Sequence, residues 1–277
     1  MNAPTLSTAA VARRADVERI DVRGLSKSFQ LGGAAIEAVR DVSFSVRRGE
    51  FVALLGPSGS GKSTILNMIA TLVKPSSGEI LIDGKPVVHG RATSGVGYVF
   101  QRDTLFPWRT VADNIGYGLQ LAGVAEAERR ERVAACIEQA GLKGFEQAYP
   151  SALSGGMRQR AALMRTLVVE PQILLMDEPF GALDTHTKID MHEVLLRIWD
   201  REQQTVLFVT HDLGEALTLA DRIILFSARP GRIKDMFEVD FARPRDAVRV
   251  RETPRYAELF QHIWHSLGEE FVKGRSS

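Results

Sequence analysis

The sequence predicts an α/β fold, a mainly parallel sheet with helices packed against it. Three observations carry that prediction. A continuous apolar run, Phe51-Val52-Ala53-Leu54-Leu55, leads straight into a glycine-rich loop, Gly56-Pro57-Ser58-Gly59-Ser60-Gly61-Lys62-Ser63. A second apolar run, Ile173-Leu174-Leu175-Met176, ends in Asp177-Glu178. Further strands and helical segments alternate after residue 171, the pattern that parallel strands with crossover helices require.

The elements follow in order. Ile20-Asp21-Val22 and Val42-Ser43-Phe44-Ser45-Val46 alternate as half-buried strands do. Residues 51–55 are apolar throughout, as a strand buried on both faces should be. A helix is expected over 61–72, with strands at 79–82 and 96–100. From about 102 to 165 the pattern turns helical: Val133, Ile137 and Ala140 share one face with Cys136, which reads as a small buried hydrophobe rather than a reactive thiol. Leu153-Ser154-Gly155-Gly156-Met157 opens a new helix after Pro150. Strands are then expected at 173–176, 205–209 and 221–226, with an amphipathic helix between the first two. A basic, proline-containing stretch runs to Arg255. A final helix should place Phe260, Ile263, Trp264, Leu267 and Phe271 on one face. Residues 1–16 are expected to be a disordered tail, 17–240 the main domain and 241–277 a C-terminal helical extension.

Composition excludes several classes. The 277 residues contain no apolar run long enough to span a membrane. Thirty-five basic against thirty-four acidic residues leave a net charge of +1, which argues against a nucleic-acid binder. The single cysteine cannot form an internal disulfide and fits a reducing compartment. Arg13-Arg14 is followed by Ala15-Asp16-Val17-Glu18-Arg19 rather than an apolar segment, so a twin-arginine export signal is not expected.

The chemistry concentrates in a few places. Gly56, Gly59 and Gly61 let the backbone curl so that successive N–H groups of residues 56–61, Pro57 excepted, face phosphate oxygens. The helix that follows adds its positive end. Lys62 places a charge on the outer phosphates, Ser63 offers a hydroxyl to magnesium, and Ser58, Ser60 and Thr64 complete the candidate set. Asp177 at a strand end can reach the same metal through water, and Glu178 can face an attacking water. Ser154, Gly155 and Gly156 form a second anion-binding helix start. One nucleotide needs one phosphate loop, so a second phosphate clamp is useful when it belongs to a partner chain. His186 and His192 flank a charged helix and read as surface residues. No Cys/His cluster has zinc spacing.

In that order, a phosphate loop, a Ser-Gly-Gly turn and an Asp-Glu strand end resemble the ATPase subunit of an ABC transporter. The resemblance covers roughly residues 18–270. It implies the P-loop NTPase fold, with a mainly parallel core sheet, an antiparallel β subdomain and an inserted α-helical subdomain. It implies ATP and Mg²⁺ as cofactors and Glu178 as general base. It also implies His211 as the residue contacting the terminal phosphate, Gln101 as metal sensor and ligand, and Phe29 as the aromatic that stacks on adenine. Gly181-Ala182-Leu183-Asp184 matches the loop after the base, and Met157 stands where the family usually has glutamine. Two copies are expected to pack head-to-tail, each Ser-Gly-Gly turn closing on the other copy's ATP.

Leu105-Phe106-Pro107-Trp108-Arg109-Thr110-Val111 is an aromatic loop before a helix, read either as core or as a partner patch. In the family this segment lines the groove that receives a short helix of the membrane subunit. Phe106-Pro107-Trp108 and Ser227-Ala228-Arg229-Pro230-Gly231-Arg232-Ile233 resemble importers of nitrate, sulfonates and taurine. About fifty residues follow Phe226, too few for the regulatory β-domain of sugar importers. The expected assembly is a homodimer on two permease subunits at the cytoplasmic face of the inner membrane. A periplasmic or lipid-anchored solute-binding protein is expected with it, and no nucleic acid. The alternatives are an ATPase of a non-transport ABC membrane complex and an importer of a thiamine pyrimidine precursor.

Overall fold

Strand β3 (Phe51–Leu55) explains the layout of the chain around it. All five of its residues are buried, so it must be flanked by strands on both edges and covered on both faces. Parallel pairing supplies the edges: β8 (Thr205–Thr210) on one side and β9 (Arg222–Phe226) on the other. Helices α1 (Lys62–Ile69) and α6 (Leu213–Leu219) lie against β8 and β3 respectively. The computed structural model describes residues 18–181 and 183–275, the side chains of 271–275 excepted. The expected tail at 1–16, Ala182 and the Phe271 side chain lie outside the described residues.

The described chain forms two compact units. The first holds residues up to 94 together with 203–240 and 258–277. Its antiparallel sheet has the order β2-β1-β4-β5, with β1 Glu18–Leu31, β2 Ala34–Arg47, β4 Ser77–Ile82 and β5 Lys85–Pro86. Val22 faces Phe44 and Ile20 faces Ile82 across its ladders. The second sheet of this unit runs β10-β9-β3-β8, where β10 (Ile233–Glu238) pairs antiparallel with β9. The final helix, α7 (Pro254–Arg275), has its last part in this unit.

The second unit comprises residues 95–202 and 241–257. Its parallel pair is β6 (Val96–Val99) with β7 (Ile173–Asp177). Three helices follow β6: α2 (Val111–Leu121), α3 (Glu126–Gln139) and α4 (Gly155–Leu167). α2 packs on both α3 and α4, through buried Ile115, Leu119, Val133 and Ile137. Thr110 caps α2 by accepting from Asp113 N, and Asn114 is fully buried with its amide shared among the carbonyls of Phe106, Arg109 and Thr110. α5 (Thr185–Glu202) completes the unit. No helix among the described residues is long and apolar enough to cross a membrane.

Two expectations are corrected. His192 is 1% exposed rather than on the surface: it continues the stripe of Leu195, Leu196 and Trp199 and meets Phe180 edge-on at 4.8 Å. Its neighbours in sequence are charged, but residues three, four and seven positions on set the face it shares. Trp264 is 52% exposed, because the buried stripe of α7 is Leu259, Ile263 and Leu267, and the next residue is turned about 100° away. It stacks instead on Phe260. The basic, proline-containing stretch after Arg229 contains β10, a strand that the pattern did not predict. Lys234, Asp235 and Glu238 hid it from a hydrophobic pattern because it is an edge strand.

The apolar centre of the first unit includes Phe208, fully buried and edge-on to Phe51 at 6.1 Å. Phe208→Ala should destabilise the protein by about 3–5 kcal/mol, because the surrounding strands cannot collapse into the space. Urea unfolding followed by circular dichroism measures the loss.

Candidate nucleotide site

The glycine-rich loop leaves β3 and enters α1 by packing backbone against backbone. A Cβ on Gly56 would lie 2.8 Å from the Phe226 carbonyl. At Gly61, φ is 81°, and a Cβ would lie 2.6 Å from Val39 Cγ2 and 2.7 Å from the Ala38 carbonyl. Only glycine fits both positions. Pro57 and Ser60 are buried, while Ser58 and Gly59 are exposed at the crest. Ser63 and Thr64 are half-buried in the first turn of α1.

Lys62 is 4% exposed. Its ammonium donates to the carbonyls of Gly56 and Pro57, both at 2.8 Å, and to Ser60 Oγ at 2.9 Å. The loop therefore curls around its own lysine, and the cation sits at the centre of curvature where phosphate oxygens would converge. On β1 of the same unit, Phe29 is 42% exposed, with Lys27 Nζ 5.0 Å from its ring centre. His211 is exposed at the corner between β8 and α6. Two flanking groups fix that corner: Thr210 Oγ1 donates to buried Glu215 at 2.6 Å, and Asp212 caps α6 by accepting from Gly214 N and Glu215 N.

In the second unit, β7 delivers Asp177, 8% exposed, and then Glu178, whose φ is +46°. A non-glycine residue in the left-handed region is strained, and such strain collects at functional positions. Gln101, exposed just after β6, donates from Nε2 to Glu178 Oε2 at 3.3 Å. Burial, and then the Asp177 charge, raise the Tyr98 phenol above its ordinary value. Gln159, 3% exposed on α4, donates to the Pro179 carbonyl at 2.9 Å and so pins the turn after the acid pair. Beyond that turn, Asp184 accepts from the Thr187 hydroxyl and amide, which hold its carboxyl below the ordinary aspartate value.

The same helix begins at the Ser154–Gly156 turn. Ser154 caps α4 by accepting from Met157 N at 3.2 Å; Ser154 and Gly155 are exposed and Gly156 is half-buried. Arg158, one turn in, donates to Asp103 at 2.8 Å and to the Leu153 carbonyl. Arg165 donates to Thr104 twice and lies over the Phe106 ring. Two arginines of one helix thus hold the loop that follows Gln101. Nothing in the spacing marked Asp103, Arg158 or Gln159, because hydrogen-bond partners tens of residues apart leave no local pattern.

The aromatic loop divides between the two readings of it. Leu105 is 7% exposed and Phe106 packs edge-on to Tyr117, whereas Trp108 is 71% exposed. A groove of about 730 Å³ opens beside it, lined in part by Arg109, Asp113, Arg129 and Glu146. Among the described residues, no group of three His, Cys, Asp or Glu side chains is placed to hold a metal ion alone. The Ser63 hydroxyl, half-buried in the first turn of α1, is a hard oxygen donor of the kind Mg²⁺ takes.

Comparison with known proteins defines the class. The family model described as ABC transporter matches residues 39–181. An uncharacterized ABC transporter ATP-binding protein of Methanocaldococcus jannaschii is 45% identical over 92% of this chain and 93% of its own length. The taurine import ATP-binding protein of Rhizobium johnstonii is 45% identical over 83% of this chain and 89% of its own. The aliphatic sulfonates import ATP-binding protein of Bacillus cereus is 39% identical over 92% and 96%. Among solved structures, an ATP-binding cassette dimer in a post-hydrolysis state with ADP and phosphate superposes with a TM-score of 0.73 at 32% identity. It covers 80% of this chain and 100% of that one. The chain belongs to the ABC transporter family and is an ATPase of that family, with its antiparallel β subdomain, mainly parallel core sheet and helical insertion.

Cys136 stands apart from this chemistry. It is half-buried on α3, and burial pushes its thiol up to about 11. The raised value means that the thiolate is scarce at neutral pH and grows only as pH climbs toward 11. Alkylation by iodoacetamide at pH 7.5 should therefore be at least about tenfold slower than for an unperturbed thiol. Mass spectrometry of timed samples measures it, and the rate should rise up to pH 10.

Proposed function

We propose that this chain powers uptake of a small anion, an aliphatic sulfonate, taurine or nitrate, through separate membrane subunits. One observation carries the substrate class. Relatives named for taurine and aliphatic sulfonate import are 39–45% identical over 83–92% of the chain. In this reading the protein lies at the cytoplasmic face of the membrane. The groove beside exposed Trp108 receives the permease, and a solute-binding protein delivers the cargo. Proteoliposomes holding this chain and its cognate permease provide the test. Taurine or an alkanesulfonate, presented on the binding protein, should stimulate ATP hydrolysis, and stimulation by an unrelated solute alone overturns the substrate class.

The roles proposed for the site residues are those that the family resemblance implies, and the geometry within each unit supports them. Residues 56–64 cradle the phosphates, with Lys62 exchanging its loop carbonyls for phosphate oxygens, and Phe29 stacks on adenine. Mg²⁺ would be held by Ser63 and, as the family resemblance implies, by Gln101 and Asp177, and it would supply charge neutralisation at the outer phosphates. Glu178 accepts a proton from water as that oxygen bonds to the terminal phosphorus. The bond from phosphorus to the bridging oxygen breaks, leaving ADP and phosphate. His211 contacts the terminal phosphate. The Gln101 amide on Glu178 orients the base. Glu178→Gln should bind ATP normally and lower kcat by about 10²–10³-fold, the usual worth of a positioned base. Near-normal turnover in a coupled-enzyme assay would remove Glu178 from that role.

The Ser154–Gly156 start, exposed at Ser154 and Gly155, then serves a second copy's nucleotide, as the dimeric state of the similar cassette structure supports. Hydrolysis would require dimerisation. Ser154→Arg and Lys62→Ala should each be inactive alone and regain activity when mixed in equal amounts, because the mixed dimer assembles one intact site. Failure of the mixture to regain any activity would show that the Ser154 turn does not serve a second copy's nucleotide.

A further inference from the structure

The turn between β9 and β10 touches the phosphate loop directly. Gly231 is buried there, its N–H donating to the Ala38 carbonyl at 2.9 Å and its carbonyl accepting from Arg40 N at 3.0 Å. A Cβ at Gly231 would fall 1.9 Å from the Ser60 carbonyl oxygen. Ser60 is the residue whose hydroxyl accepts from Lys62. Any shift of this turn is therefore transmitted to the loop by contact.

The turn is internally braced and externally anchored. Ser227 N donates to the Arg232 carbonyl, and Ser227 Oγ accepts from Arg232 N at 3.1 Å and donates to the Ala228 carbonyl at 3.0 Å. The anchor comes from α7. Glu270, 3% exposed, accepts from Ala228 N at 3.1 Å. Lys234 of β10 pairs with the same carboxylate at 3.1 Å and also binds the Ser266 carbonyl and Glu269. Desolvating a carboxylate is expensive, and its return here is one fixed geometry rather than extra stability.

We propose that Glu270 is a positioning residue for the phosphate loop: by holding the 227–232 turn against Ser60, the C-terminal helix sets nucleotide affinity. The inference rests on residues 56–64 being the ATP site. It gives the end of the chain a defined function in the ATPase cycle.

Titration calorimetry of the full chain with Mg-ATP tests it, with melting temperatures recorded alongside. Glu270→Ala should raise Kd about 5–10-fold, as expected for losing a buried charged hydrogen bond. Glu270→Gln, whose amide oxygen still accepts from Ala228 N, should stay within about 2-fold of wild type. Glu269→Ala, which removes the exposed partner of Lys234, should leave Kd unchanged. Ser227→Ala loosens the turn without touching the helix and should raise Kd in the same direction, which keeps the test open if Glu270→Ala does not fold. A lower melting temperature with unchanged Kd in the Glu270→Ala or Ser227→Ala variant overturns the proposal, as does a loss that glutamine fails to relieve. Wild type that binds no nucleotide would instead refute the site itself.

Discussion

Main chain pressed against main chain is the constraint from which the first unit is built. Gly56 against Phe226, Gly61 against Ala38, and Gly231 against Ser60 leave no space for a side chain. Such contacts form only where strands already fix the backbone to within a fraction of an ångström. The surrounding elements supply that fixity. β3 is locked between two parallel neighbours, and Glu50 at its entrance pairs with Arg222 of β9 at 2.8 Å while 6% exposed. The loop gains a rigid curl around Lys62, which the carbonyls of Gly56 and Pro57 face, and loses tolerance to nearly any substitution at those glycines.

The second unit works by different means. Its functional groups sit on turns, and one helix, α4, organises them with polar side chains. Ser154 shapes its N-terminus, Arg158 and Arg165 grip the loop beyond Gln101, and Gln159 holds the turn beyond Glu178. Three segments distant in sequence therefore share one support. The left-handed backbone of Glu178 is sustained by that support and by the buried strand before it. The strain is local, and it aims a carboxylate that an extended backbone would turn elsewhere.

Strand β3 was readable to the residue because full burial writes itself as an unbroken apolar run. The helix after the glycine-rich loop was readable as well, although it ends at Ile69 rather than at residue 72. β10 was not, because an edge strand gains its pairing from the backbone and leaves its side chains free to be charged. His192 was misplaced because charged neighbours in sequence lie on another face of the helix. Of the candidate site, the glycine-rich loop, the Asp177-Glu178 pair and the Ser154 turn stand out in the sequence because phosphate chemistry would demand particular residues in unbroken order. Glu270 and Asp103 were not: each acts through one partner far away in the chain, and only folding brings them together.

The charges that hid β10 have a consequence of their own. Lys234, Asp235 and Glu238 stud the outermost strand of the sheet, with the lysine already claimed by the last helix. A foreign strand adding itself at this margin would have to strip water from those groups. The sheet is thereby closed to growth, and cross-β stacking between molecules finds no template at this boundary.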